Sequence, residues 1–254
     1  MYVSGRGTSS HGTILPALLE ARRLGMVGRI VLVTTQAESA RAAEMRLREL
    51  SRLMHVDIES ACLPSRGRDD KAYLEAVRQY KPDAAIVSVP DHLHATIAIP
   101  LIEQGVHCLV VKPMAASVTE ARAMAEAARR AQVVAQVEFH KRLDESNLLL
   151  RDAVRSGQLG ALLYAVIEYS QQKRIPRDLF RAWAARSNVF QYLGVHYVDI
   201  LHYVTGYTPL RVTAWGQKGY LTEQGIDTWD SIQTVIEWRT EADRRFVSTH
   251  VTNW

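Results

Sequence analysis

Cysteine is scarce in this sequence of 254 residues, which contains only 2 cysteines. So few thiols exclude a disulfide-stabilised scaffold, and neither Cys62 nor Cys108 stands at the spacing of a metal site. Both lie in short apolar runs, which predicts buried, reduced thiols. Because free thiols persist in a reducing compartment, we expect a cytoplasmic protein with no bound metal.

Long hydrophobic runs are also absent. No apolar stretch approaches the roughly 18–20 residues that a membrane-spanning helix needs, and residues 1–5 lack the apolar core of a secretory signal. The composition, with 47% hydrophobic and 23% charged residues, is typical of a globular protein with a real core. We therefore expect no membrane partner.

Basic blocks are missing too, although the formal net charge is +4 and the pI is near 9.1. Most of the positive charge comes from arginines that stand beside glutamates, as in residues 44–49. Such mixed runs are typical of solvated helix faces, and no basic cluster carries interleaved aromatic residues. We therefore expect no nucleic-acid partner.

What the first half does contain is an alternation of short apolar runs and helical segments. The predicted strands cover residues 29–34, 56–63, 83–89, 106–111 and 133–138, and the predicted helices cover 37–53, 70–80, 91–104 and 117–131. Strands without polar alternation, separated by helices, indicate a parallel sheet covered on both faces. Asp91 is expected to cap its helix and Ser117–Glu120 to form a capping box.

The pattern changes after about residue 142. Strands are predicted over residues 161–170, 211–216, 228–238 and 245–252, and a helix over 191–204. Alternation in 231–238, with Ile232 and Ile236 on one side, indicates a mostly antiparallel sheet with one buried face. We predict an α/β dinucleotide-binding domain over 1–140 and an α+β domain over 141–254. The arginine- and lysine-rich connection 171–188 is a candidate substrate loop.

Lys112 ends the apolar run 106–111, which we interpret as a buried parallel strand. A lysine in such a place needs a partner or a ligand for its charge. Ligands of open α/β sheets bind at the carboxyl ends of the strands. Lys112 is therefore the leading candidate for a functional side chain.

A glycine turn lies near the start of the chain, between a very short strand and a helix. Glycines in such a turn allow the backbone to approach a pyrophosphate, and the helix N-terminus adds a favourable dipole. The alternative is an ordinary glycine turn, since Ser10 stands where the usual pattern has its third glycine. The predicted cofactor contacts here are Gly5, Arg6, Gly7, Thr8 and Ser9.

The second strand of a dinucleotide-binding domain normally ends in an acidic residue that binds the adenosine ribose. Here Thr34 and Thr35 follow the strand, and Arg41 lies a turn further on. Two hydroxyls and an arginine suit a 2′-phosphate, which favours NADP over NAD. A plain strand–helix loop is the alternative.

Two histidine-containing segments complete the candidate site. After the strand 83–89 comes a Pro-Asp turn with histidines, from which we predict the further cofactor contacts Ser88, Val89, Asp91 and His94. On the helix 191–204, His196 and Asp199 are three residues apart and therefore share a face. A purely structural hydrogen bond is the alternative for that pair, and no third ligand suggests a metal.

These stretches resemble the Gfo/Idh/MocA oxidoreductases, dinucleotide-dependent enzymes that act on sugars, inositols and related polyols. The matching stretches are Gly5–Gly7 with His11, Val89–His94, Lys112–Pro113, Ser156–Gly160 and Gly194–Asp199. The resemblance runs through nearly the whole chain. It implies a Rossmann domain followed by an α+β domain whose open antiparallel sheet commonly forms the oligomer interface.

The resemblance also implies roles for particular residues. The family's motif lysine maps to Lys112 and its catalytic histidine to His196. The sequence departs from the pattern at Val111, where the motif has glutamate, and at Tyr192, where it has aspartate. It also ends at Trp254, in what looks like a sheet strand where relatives usually continue.

We therefore expect an NAD(P)-dependent oxidoreductase acting on a sugar-, inositol- or polyol-like hydroxyl or ketone. Lys112 would hold the reacting oxygen, His196 would transfer a proton near pH 6–7 before any shift, and Tyr192 could donate a hydrogen bond or a proton. The expected substrate contacts are Lys112, His196, Arg181, Trp183 and Asp199. The alternatives are a dinucleotide-binding sensor without turnover, and a cofactor-dependent glycosidase. Tryptophans on or near the sheet, Trp215, Trp229 and Trp238, favour a homo-oligomer, either a dimer or a tetramer.

Overall fold

The computed structural model of the chain describes residues 12–254. The predicted glycine turn, with Gly5, Arg6, Gly7, Thr8 and Ser9, lies outside the described residues, and so does His11. The described part forms two compact units. The first unit comprises 12–111 and Ser117–Gln136, and the second comprises Lys112–Ala116 and Val137–Trp254. The short segment with Lys112 thus belongs to the second unit.

The first unit alternates strands and helices, as the apolar periodicity predicts. Its helices are α1 (Ile14–Arg23), α2 (Ala37–Met54), α3 (Ala72–Tyr80), α4 (His94–Glu103) and α5 (Val118–Ala131). Its strands are β1 (Ile30–Val33), β2 (Ser60–Leu63), β3 (Ala84–Val87), β4 (His107–Val111) and β5 (Ala135–Glu138). The pairs β1–β2 and β3–β4 are parallel, and β5 lies beside β4. The predicted α/β architecture is therefore confirmed.

Burial in the first unit follows the spacing of apolar residues along its helices. In α2, Ala43, Leu47 and Leu50 recur every three or four residues and are buried together with Leu15 and Leu19 of α1. This is the stripe that an amphipathic helix presents to a sheet. The stripe packs against β1, which closes this part of the core.

The two predicted helix starts had different outcomes. The capping box is confirmed, because the Glu120 amide donates to Ser117 Oγ at 3.2 Å. The prediction that Asp91 caps its helix is wrong. The Leu93 amide bonds the Pro90 carbonyl at 2.8 Å, so residues 91–93 form a tight 3₁₀ turn and α4 starts at His94.

The second unit is built around one mixed sheet. Its strands are β6 (Tyr164–Ser170), β7 (Thr208–Gln217), β8 (Ser231–Arg239) and β9 (Arg245–Asn253), and its helices are α6 (Glu145–Arg155), α7 (Val195–Thr205) and α8 (Tyr220–Glu223). The strand order is β6-β9-β8-β7. Two strand pairs are antiparallel as predicted, whereas β6 and β9 pair in parallel.

The two faces of this sheet differ sharply. On the inner face, Ile236, Trp238 and Phe246 are buried together with Leu201 of α7. On the outer face, Tyr164 is 72% exposed, Val166 67% and Trp215 57%. Trp238 therefore belongs to the core. The outer face is exposed and mixed, because it also carries Arg211 and Arg245 paired with Glu237.

The connection 171–188 is folded rather than extended. It contains two short helical turns, Ile175–Leu179 and Ala184–Arg186. Ile175, Phe180 and Ala184 are buried in the same cluster. Because these side chains are buried, the connection packs against the core of the second unit.

Candidate functional site

Lys112 directly follows β4 and is only 8% exposed. Its Nζ donates a hydrogen bond to the backbone carbonyl of Tyr192 at 2.5 Å. The same Nζ lies 3.8 Å from the centre of the Tyr192 ring. The structure therefore brings together two candidate residues that lie 80 positions apart in the sequence.

His196 lies in the first turn of α7 and is 5% exposed. Its ring meets the His140 ring edge-on, with centroids 4.9 Å apart. Among the described residues, its Nδ1 has no hydrogen-bond partner. A buried polar atom of this kind costs free energy unless a ligand or a water satisfies it.

Burial and then the charge of Lys112, with further contributions from His140 and Lys141, together lower the pKa of His196 to about 3. The imidazole is thus neutral at physiological pH. The ordinary histidine range of pH 6–7, expected before any shift, is therefore left behind in the folded chain, because a desolvated ring near Lys112 resists protonation.

The segment after β5 supplies residues that the sequence did not identify. His140 Nδ1 lies 2.7 Å from a carboxylate oxygen of Glu138. Phe139 also meets the His196 ring edge-on, with centroids 6.3 Å apart. The available signal was the position of 138–142 directly after a predicted strand, since ligands gather at strand ends.

Asp199 is held by Arg142 of that same segment. The guanidinium donates to both carboxylate oxygens, at 2.7 and 2.5 Å. The Asp199 carboxylate raises the pKa of Arg142. Asp199 therefore anchors α7 to the turn that carries His140. Its contact with a substrate stays a prediction.

Tyr192 sits in a π-helical turn, Phe190–Gly194, just before α7. Its ring stacks on Trp254 at 5.4 Å and meets the edge of Phe180 at 4.9 Å. Gly194 is required for this turn, because a Cβ there would lie 2.5 Å from the Phe190 ring. The turn thus presents the Tyr192 carbonyl and ring to Lys112.

The other two predicted substrate contacts lie further from Lys112. Arg181 is exposed and donates to the Gln224 carbonyl at 3.2 Å. Trp183 packs on Phe180, with ring centroids 4.4 Å apart, so a single ring separates it from Tyr192. Neither is shown in direct contact with Lys112 or His196.

An open polar cleft of about 310 Å³ adjoins this turn. Its lining includes Arg186, Asn188, Gln191, Lys218 and Trp229. Gln191 Nε2 donates to the Ala116 carbonyl at 3.3 Å, which ties the cleft wall to the segment Lys112–Ala116. The end of the connection 171–188 therefore lines a cleft next to Tyr192.

The predicted cofactor contacts of the first unit occupy strand ends. Thr34 Oγ1, just after β1, donates to the Gln36 carbonyl at 2.7 Å, and Arg41 donates to the Ser65 carbonyl at 3.2 Å. Thr35 follows Thr34, and no carboxylate stands at residues 34–36. These side chains define a polar strand end without negative charge.

The loop after β3 carries the remaining predicted cofactor contacts. His94 Nε2 lies 3.0 Å from the Val89 carbonyl and is buried, so it holds the loop against α4. Asp91 is buried, while Ser88 and Val89 are half-buried. The structure thus gives His94 a local structural contact, and its contact with a cofactor stays a prediction.

Residues 12–254 contain neither a candidate metal site nor a membrane-spanning helix. No group of three or more His, Cys, Asp or Glu side chains there could hold a metal ion. Within the same range, every helix is too short or too polar to cross a bilayer. Cys62 and Cys108 are both free thiols, and burial raises the pKa of Cys108 to about 11.

The fold and the site define an α/β protein in which a lysine at a strand end meets an aromatic turn and a buried histidine. The sequence model described as "Oxidoreductase family, NAD-binding Rossmann fold" matches residues 30–139. The model of the "GFO/IDH/MocA C-terminal domain" matches residues 147–253. The chain belongs to the Gfo/Idh/MocA oxidoreductase family.

Individual relatives agree with this assignment. The chain is 30% identical to the rhizopine catabolism protein MocA of Rhizobium meliloti, over 74% of this chain and 58% of that protein. It is 28% identical to the 1,5-anhydro-D-fructose reductase of Ensifer adhaerens, over 63% of this chain and 49% of that protein. An oxidoreductase domain protein from Kribbella flavida shares the fold with a TM-score of 0.76 and 21% identity, covering 93% of this chain and 62% of that one. The chain thus spans about half to three fifths of these proteins.

Proposed function

We propose that the protein is an NAD(P)-dependent oxidoreductase that acts on the CH–OH group, or the corresponding ketone, of a sugar-, inositol- or polyol-like substrate. The observation that carries the proposal is the buried His196 Nδ1, which has no partner among the described residues and lies close to the charge of Lys112. Family membership supports the reaction class. One relative is named for reducing an anhydro sugar.

In this proposal Lys112 and His196 act on the same reacting oxygen in different ways. The ammonium group of Lys112 donates a hydrogen bond to that oxygen and stabilises its developing negative charge. The neutral imidazole of His196 accepts the hydroxyl proton, since it is unprotonated at physiological pH. Burial of both side chains limits competition from water and strengthens each interaction.

A bound nicotinamide dinucleotide would supply the hydride acceptor. The residues proposed to hold it are Thr34, Thr35, Arg41, Ser88, Val89, Asp91 and His94, with Gly5–Ser9 before them in the chain. We propose that NADP binds at least as well as NAD, because no carboxylate at residues 34–36 would repel a 2′-phosphate. Arg41 is exposed and within one helical turn of that strand end.

The polar cleft beside Tyr192 supports a hydroxylated substrate. Its polar side chains, from Asn188, Gln191 and Arg186, suit multiple hydroxyl groups, while Lys218 is paired with Asp227 in the same lining. We propose that the end of the connection 171–188 contributes to substrate binding in this way, and that Arg181 and Trp183, earlier in the same segment, contribute with it.

The exposed side chains of Tyr164, Val166 and Trp215 on the outer face of the second unit support a homo-oligomer, because exposed apolar side chains of this size are typical of interfaces. The two free thiols support a cytoplasmic location. Light scattering at micromolar concentration tests the first of these, and a monodisperse monomer would remove it.

An absorbance assay at the nicotinamide band tests the main proposal. The protein is incubated with NAD(H) or NADP(H) and a panel of polyols, cyclitols, aldoses and ketoses. We expect turnover of at least one such substrate. Cofactor binding by fluorescence titration without any turnover would instead support a sensor. Release of an aglycone from a glycoside without net cofactor reduction would support a glycosidase.

A further inference from the structure

We propose that the aromatic ring of Tyr192 positions Lys112 by a cation–π contact, in the place where the family pattern has an aspartate. The catalytic importance of Lys112 rests on the proposed function, whereas the contact itself does not. The ring and the ammonium are 3.8 Å apart, well inside the roughly 6 Å limit of such contacts. Tyr192 is therefore a positioning residue.

Two groups of the same residue hold Lys112 from different directions. The Tyr192 carbonyl accepts a hydrogen bond from Nζ at 2.5 Å, and the ring face attracts the remaining positive charge. A carbonyl is neutral, so it satisfies one donor without cancelling the charge. The electron-rich ring face supplies attraction that grows when water is excluded, as it is around a lysine that is 8% exposed.

The Tyr192 ring is itself fixed in place. It stacks on Trp254 and meets the edge of Phe180, and both of these residues are buried. Its amide donates to the Asn188 carbonyl at 2.9 Å within the π-helical turn. A ring held on two sides is a rigid platform, so the position of the ammonium is set before any substrate arrives.

A ring and a carboxylate have different consequences for the reaction. An aspartate would neutralise the lysine with a full negative charge. The Tyr192 ring is neutral and adds no opposing full charge to Lys112. The rival interpretation assigns the phenol of Tyr192 a role in proton transfer, and the two interpretations differ in what Tyr192→Phe does.

Kinetics of three variants test the proposal. Tyr192→Phe keeps the ring and removes the hydroxyl, and Tyr192→Leu removes the ring. Tyr220→Leu is the matched control, because Tyr220 also lies against a lysine, Lys173 at 5.3 Å, outside the site. We expect Tyr192→Phe and Tyr220→Leu to keep kcat/KM within about threefold, and Tyr192→Leu to lose about tenfold or more. Equal losses in Tyr192→Phe and Tyr192→Leu would overturn the proposal.

A spectroscopic arm needs no substrate. In protein labelled with ¹³C at the lysine ε-carbon, the Lys112 methylene should be shifted upfield by the ring current of Tyr192. The chain has six lysines, so loss of one signal in Lys112→Gln assigns it. The shift should persist in Tyr192→Phe and disappear in Tyr192→Leu. Its absence from the parent protein would overturn the proposal, whereas failure to find a substrate would count only against the proposed function.

Discussion

Two buried histidines in the second unit show how the candidate site differs from the core. His250 lies on β9, where Ser248 Oγ is 2.9 Å from its Nε2 and also accepts a hydrogen bond from Trp238 Nε1. Burial lowers the pKa of His250 to about 4, and no charge contributes. The pKa of His196 is lowered by burial and also by three cationic neighbours. His250 is bonded to Ser248 inside the core, whereas His196 lies close to the charge of Lys112 and beside His140, and this position makes His196 the candidate for proton transfer.

The largest expected effects come from removing the groups at the site. His196→Ala should lower turnover by about 10²–10⁴-fold, the usual cost of losing a general base, with cofactor binding almost unchanged. Lys112→Ala should abolish turnover and weaken substrate binding as well. Steady-state kinetics on an identified substrate and cofactor titration measure both. Should His196→Ala keep more than about a tenth of parental turnover, the proton-transfer role would be wrong.

His250→Leu should affect folding stability and leave the reaction unchanged. We expect it to leave kcat near the parental value and to change the pH dependence of folding stability. The unfolded chain binds a proton at His250 near pH 6.5, and the folded chain does so only near pH 4. Between these values the unfolded state binds more protons, so acid destabilises the fold, by up to about 3 kcal/mol from this residue.

Denaturant titrations from pH 7 to pH 4 measure this effect. The free energy of unfolding of the parent should decrease as the pH is lowered across this window, and that of His250→Leu should decrease less steeply. His196 contributes in the same direction in both proteins, so the difference between them isolates His250. Identical pH dependence in the two proteins would show that His250 is protonated while folded.

A third prediction concerns the pH–rate profile. With the pKa of His196 lowered to about 3, the parent should show no histidine limb between pH 5 and 8. Tyr192→Asp places a carboxylate next to Lys112, where it should offset part of the effect of the lysine charge and so raise the pKa of His196. An acid limb in this variant should therefore lie at a higher pH than in the parent. A limb near pH 6–7 in the parent would contradict the described surroundings of His196.

The smallest expected effect concerns the end of β1, where Thr35 stands in place of the acidic residue that normally binds the ribose. Thr35→Asp should weaken NADP(H) relative to NAD(H) by about tenfold, because the new charge repels a 2′-phosphate. Thr35→Asn is the matched neutral control and should change the ratio little. Calorimetric titration of both cofactors measures it. If the parent already preferred NAD(H) tenfold, the proposal that NADP(H) binds at least as well would be wrong.

Much of the fold could be predicted from local patterns. The stripe of Leu47 and Leu50 in α2 and the Ser117–Glu120 capping box are contacts between residues three or four apart, which spacing encodes directly. The alternation in β8 likewise gave its buried face, although the parallel pairing of β6 with β9 could not be predicted. Pairing of strands more than 70 residues apart depends on how the whole sheet assembles.

For the candidate site, the sequence indicated which residues to consider, and the tertiary structure decided which of them come into contact. Lys112 and His196 stand out because a charge after a buried strand and a histidine in a family motif are visible locally. Only the folded chain places His140 beside His196 and the Tyr192 ring against Lys112. Such contacts join residues 56 and 80 positions apart, and the resulting desolvation lowers the pKa of His196. Burial and charge proximity are properties of the packed structure, so no sequence spacing encodes them.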